Sequence, residues 1–237
     1  MPVVLLKVSV GGPSVFLNTS FLLLVAVMVC AVAWVGRRVW SSWVPLGAVL
    51  AWLALTGAVA ASGMLEDLSA MPPRLPFVIA PALLTLLILV LHPRTGPALA
   101  ELPASTVAGY QVFRLPVELL LWRMFLERLG PEIMTFEGRN FDILIALTAP
   151  AIAWALAHDK LPKAAWNAWN VAGIALVVNV VAHAVLSLPT SFQVFVVSPP
   201  VQLPAELPFV WLPAFLVPLA LALGGHFLGL RQALGER

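Results

Sequence analysis

The chain has 237 residues, of which 61% are hydrophobic and only 10% charged, and its 13 basic and 11 acidic side chains leave a net charge of +2. Soluble domains are about a quarter charged, so this composition argues against a water-soluble fold. No lysine or arginine run could track a phosphate backbone, which argues against nucleic acid as a partner. The single cysteine, Cys30, excludes an intrachain disulfide and leaves any metal site to other ligand types; it reads as a small packing residue.

Apolar runs recur along the chain, each about long enough to cross a hydrocarbon core of roughly 30 Å as a helix. The reading is an all-α integral membrane bundle, one domain over 1–237, whose principal partners are membrane lipids. The first run, about 17–35, could be a signal peptide, because "CAVA" from Cys30 to Ala33 offers small residues for cleavage. Its length and the Arg37-Arg38 flank favour a retained helix instead. Asn18-Thr19-Ser20 matches a glycosylation sequon but abuts this span.

Six further spans follow at about 44–63, 76–92, 104–124, 143–158, 166–187 and 207–229. Seven crossings put the termini on opposite sides. With Arg37 and Arg38 inside, that side also holds Arg94, Lys160, Lys163, Arg231 and Arg237, against Glu101, Asp159 and Glu236. The other side holds Lys7, Arg74, Arg123, Arg128 and Arg139, and more acids than bases. The bias favours an outside N-terminus and a cytoplasmic C-terminus. Trp34, Trp40, Trp43, Trp166 and Trp169 flank inside loops, as interfacial anchors do.

"PPRLPFVIAPALL" from Pro72 and "PPVQLPAELPFVWLPAFL" from Pro199 share a Pro-Pro and then L-P-F-V-x-x-P-A-x-L. Spans one to three and five to seven could then be parallel copies around span four, as in some transporters. Proline in the first turn of a helix explains the same letters without duplication.

Span four carries the chemistry. Gln111, Arg114 and Glu118 are three and four residues apart and share one helix face. An unpaired charge at mid-membrane costs at least about 2.5 to 3.5 kcal/mol, so Arg114 and Glu118 are expected to face the interior and pair with each other or with neighbours. In span six, Asn179 and His183 lie one turn apart at similar depth, as do Ser62 and Thr19 on spans two and one. The expectation is an outward-facing polar pocket of these residues. Each has a structural reading too: the Arg–Glu pair as a lock between helices, and His183 as a hydrogen-bonded core histidine.

Two outside loops should overhang the pocket. "MTFEGRNFD" gathers Glu137, Arg139, Asn140 and Asp142 around Gly138, although Asn140 could simply cap the fifth span with Asp142 in its first turn. "SGMLEDLSAMPPR" adds Glu66, Asp67 and Arg74. Taken together, "FRLPVELLLW", "MTFEGRNFD" and "ELPFVWLPAFLVPLA" give the chain from Ser62 onward a resemblance to a family of small bacterial multi-pass membrane proteins with no assigned activity. The resemblance implies a bacterial inner-membrane protein and no mechanism.

Sharper assignments fail. His92, His158, His183 and His226 are scattered with no H-E-x-x-H spacing, so no metal or other cofactor is expected. Span seven has no lysine for a retinal Schiff base. "ASGM" lacks the first glycine of a G-x-S-G site, and there is no Walker loop. Three functions stay open: binding or translocation of a small polar solute or lipid headgroup, a membrane-embedded enzyme using Glu118 or His183 as acid or base, and a non-catalytic subunit docking a protein partner through its outer loops.

Overall fold

The computed structural model describes residues 12–67, 74–190, 193–222 and 225–235. Lys7, the Pro72-Pro73 pair, Glu236 and Arg237, used above for topology and repeat, lie outside these residues. The described chain is helical, with no strand among the described residues.

Ser14 starts α1 (Val15–Trp40): its Oγ accepts from the Leu17 N–H at 3.1 Å, satisfying one of the donors a helix start leaves open. Its own N–H and O–H reach Glu127 at 2.9 and 2.6 Å, tying the start of α1 to residues far along the chain. At the other end Ser41 adopts a left-handed φ of 52° and donates to the Arg37 carbonyl, which closes α1. A short turn then returns the chain as α2 (Val44–Ala61), packed on α1.

α3 (Pro76–Leu91) and the short α4 (Thr95–Ala100) follow, then α5 (Ala104–Tyr110). Pro116 has no N–H for the Val112 carbonyl four residues back, and the chain tightens there into a 3₁₀ turn, Gln111–Phe113, before restarting as α6 (Arg114–Leu126). α7 (Ile143–Ala157) packs on α5 and α6, and α8 (Lys163–Ser187) packs on the C-terminal segment. That segment comprises a π-helical turn (Leu212–Leu216), α9 (Val217–Leu221) and α10 (His226–Leu234).

Helical segments fall on all seven stretches marked in the sequence, but four have the length and apolarity to cross a membrane: Val15–Trp40, Val44–Ala61, Lys163–Ser187 and Leu212–Leu234. Pro76–Leu91 and Ile143–Ala157 are shorter apolar helices. The four differ in placement. Of an 18-residue window in the last, 81% is buried, against 22% to 33% in the other three. The C-terminal segment is therefore the axis, and α1, α2 and α8 present apolar faces outward, as a lipid solvent permits.

Prolines shape that axis. Pro218 cannot donate to the Ala214 carbonyl, and the indole Nε1 of Trp52 on α2 donates to it instead at 3.0 Å. Trp211 Nε1 returns the contact, donating to the Leu53 carbonyl at 3.1 Å. α2 is thus pinned to the axis by two reciprocal indoles.

Several sequence expectations change here. Cys30 is exposed on α1 and packs no interior, because it falls on the outward face opposite Met28 and Val32. Trp166, expected as an interfacial anchor, is 3% exposed and stacks on Trp169, whereas Trp34 and Trp43 are exposed. The two L-P-F-V copies open differently: Pro76 begins α3 directly, while Pro208 lies in a turn ahead of the π-helical residues.

Candidate functional site: a charged floor beneath an apolar cavity

Arg114 is 2% exposed, so its guanidinium must find its partners inside the protein. Asp142, the residue before α7, supplies both oxygens: Arg114 Nε donates to Oδ2 at 2.7 Å and Nη2 to Oδ1, a two-pronged pair. The remaining terminal nitrogen, Nη1, meets Nε2 of His226 at 2.7 Å. An arginine only donates, so Nε2 accepts and the imidazole carries its proton on Nδ1. Nδ1 in turn donates to Asn170 Oδ1 at 3.0 Å, and Asn170 Nδ2 donates to the Trp166 carbonyl at 2.8 Å. One hydrogen-bonded line therefore runs from α7 through α6 and α10 to α8.

Two glycines make room for it. A Cβ at Gly173 on α8 would collide with the His226 imidazole, and one at Gly229 on α10 would collide with the Asn170 side chain. Each polar residue fills the space left by the other helix's glycine, three residues from its own. α8 and α10 can then approach closely with polar groups between them.

Glu118, also 2% exposed, lies one turn from Arg114 but does not take it as its hydrogen-bonding partner. Its Oε2 accepts from Asn140 Nδ2 at 2.7 Å, and Asn140 also donates to the Met134 carbonyl at 3.0 Å. Asn140 Oδ1 accepts the Asp142 N–H at 3.0 Å, which orients the carboxylate for Arg114. The segment "MTFEGRNFD" thus does not overhang the site. It folds into the bundle, with Thr135, Asn140 and Asp142 buried, and provides the counter-ion and the amide that hold α6. The bond from Asn140 lies just ahead of α7, and the Asp142 side chain itself makes no capping bond. Its carboxylate is committed to Arg114.

Above this floor is a cavity of about 370 Å³. Arg114, Glu118 and Asp142 line it, and so do Asp67, Arg74 and Thr190 from the loops joining α2 to α3 and following α8. Its walls are apolar: Ile79 of α3, Val117 and Leu121 of α6, Val177 and Val181 of α8, and Leu216 of the axis. A second, apolar cavity of about 480 Å³ lies between α1, α2, α3 and the axis.

The other residues marked in the sequence fall elsewhere. Gln111 is buried and donates to the Ala220 carbonyl at 3.2 Å. Asn179 and His183 form a separate, half-buried group: Asn179 Nδ2 donates to the Arg139 carbonyl at 2.7 Å, His183 Nδ1 hydrogen-bonds the Asn179 carbonyl, and its ring stacks on Phe195. The Arg139 guanidinium lies over the same phenyl ring. No hydrogen bond among the described residues joins His183 to Glu118. The reason is rotational. At about 100° per residue, Asn179 stands roughly 200° around α8 from the buried Val177, on a face turned from Arg114. Ser62 is exposed and donates to the Val59 carbonyl, Thr19 is exposed on α1, and Glu137 is exposed beside Thr135.

His226 and Asn170 were missed. Their signal was present as a polar residue three positions before a glycine, N-x-x-G in one apolar span and H-x-x-G in another. No family model, curated protein or solved structure matches the chain, and the chemistry of the site carries the functional argument.

Proposed function

We propose that this chain crosses the bacterial inner membrane seven times, with its N-terminus outside, and that it binds, and in a translocation cycle would carry, an amphiphile from the outer leaflet. The apolar body lies against the valine-rich walls and the polar end sits on the Arg114–Glu118–Asp142 floor. One observation carries the reading: a cavity of ligand-site dimensions whose lining is mostly apolar and which the buried Arg114, Glu118 and Asp142 also line. A small polar solute would leave those walls dry and unused. An amphiphile covers both surfaces, which favours the lipid-headgroup form of the function over the free-solute form. The similar segments at Leu75 and Leu207 contribute nothing to this reading.

Native mass spectrometry after mild detergent extraction tests it. Wild-type protein is expected to retain an amphiphile, and Val181→Trp, which fills the cavity from α8, is expected to lose it. Equal occupancy in the two proteins, or none in wild type, overturns the reading. For the topology, Glu137→Cys and Lys160→Cys, each in a Cys30→Ser background, should label from opposite faces of intact membranes. Labelling of both from one face rejects the seven-crossing arrangement.

A further inference from the structure

We infer that the polar end accepted by this cavity is a cationic ammonium group, received by the Glu118 carboxylate. The inference rests on the cavity reading above and adds the charge of the ligand. Arg114 looks at first like the anchor for an anionic headgroup, but three of its nitrogens are already engaged: Nε and Nη2 by Asp142 and Nη1 by His226. Its charge is met within the protein. The ion pairs among the described residues are Arg114–Asp142 and Arg123–Glu127, and neither includes Glu118.

Glu118 nonetheless borders the cavity, and its one hydrogen bond among the described residues comes from the neutral amide of Asn140, on Oε2. Its other oxygen, Oε1, is the acceptor this floor offers to a guest. The floor counts two carboxylates against one guanidinium, and the His226 imidazole is held neutral because Nε2 accepts from Arg114. A carboxylate so enclosed is stabilised by a cation beside it and penalised by an anion. An ammonium donates an N–H to Oε1, while its alkyl chain lies along Val117, Val177 and Val181. A carboxylate or phosphate headgroup would instead face both acids.

Full-length protein in phosphatidylcholine nanodiscs at pH 7 tests this with three single-chain probes of equal length, dodecylamine, dodecanol and dodecanoate, compared by thermal stabilisation at matched membrane mole fraction. Wild type is expected to reach half-saturation at about a tenfold lower mole fraction of amine than of alcohol, the worth of a charge-assisted hydrogen bond, and to respond least to dodecanoate. Glu118→Gln, which keeps the Asn140 contact and removes the charge, should abolish the gap between amine and alcohol. The order of the three probes on wild type decides the charge preference even where that variant fails to fold. Dodecanoate binding best, or a gap that persists in Glu118→Gln, overturns the ammonium inference and leaves the cavity reading intact. Curves for all three probes that Val181→Trp does not move overturn the cavity reading itself.

Discussion

Two polar groups of this bundle are built from similar kinds of side chain, and they differ in what surrounds them. Around Arg114, the carboxylate, imidazole and amides are buried and each makes its bonds to another element of the fold. Around His183, the arginine, histidine and amide are half-buried or exposed; the arginine and histidine lean on one aromatic ring of a loop and the amide on the arginine's carbonyl. Removing a partner from the first group strands a charge away from water; removing one from the second lets water take its place. The lesson is that burial, more than residue type, sets the worth of a polar contact.

Asp142→Ala applies the hardest pressure to this contrast. It leaves the Arg114 guanidinium buried without its counter-ion, and a loss of about 3 to 5 kcal/mol in detergent unfolding is expected. A loss no larger than that of an exposed pair would mean that the guanidinium is hydrated and the two groups are alike. Gly173→Ala should cost about 1 to 3 kcal/mol by overpacking, because its methyl group occupies the space of the His226 ring. Combining it with His226→Ala should cost less than the sum of the single changes; strict additivity would show that the ring and the glycine do not share that space.

In the second group, His183→Ala and Arg139→Ala should each change stability by less than about 1 kcal/mol. A larger penalty would place this group in the load-carrying interior after all. The smallest effect belongs to Glu127 at the loop end of α6. Burial pushes its pKa up, but hydrogen bonds from Ser14 and Arg123 outweigh burial and bring it below the ordinary 4.5. A depressed folded value means that the contribution is complete above the unfolded pKa and is lost as pH falls from there through the folded one. Wild type should therefore lose slightly more stability than Glu127→Gln as pH is lowered through and below 4.5. Parallel titration curves for the two proteins would remove that contribution.

Much of this fold was legible because long apolar helices bounded by turn residues stand out in a sequence. Arg114, Glu118, Asn140 and Asp142 stood out because charge and amide groups are rare in such a chain. Depth along a helix can be counted from sequence, which is why Asn179 and His183 seemed to belong with Arg114. Rotation about the helix axis is fixed only by packing, and packing turned them away. The inward fold of residues 132–142 was hidden for a related reason: a loop rich in polar groups reads as solvent-facing until one knows that a buried arginine awaits them. His226 and Asn170 escaped notice because neither carries charge, and their glycines announce close approach only once α8 and α10 are known to be neighbours.

The position of Arg114 between Asp142 and His226 also bears on proton conduction. A Grotthuss chain needs every link both to accept a proton and to hand one on. Carboxylates and imidazoles can do this, but a guanidinium that keeps its protons and offers no lone pair cannot. The hydrogen-bonded line from α7 to α8 is continuous in geometry yet interrupted as a wire at its second member. In the membrane placement proposed above, a line of acids and imidazoles alone would be a route for protons, and the same arginine that joins the helices along this line insulates it.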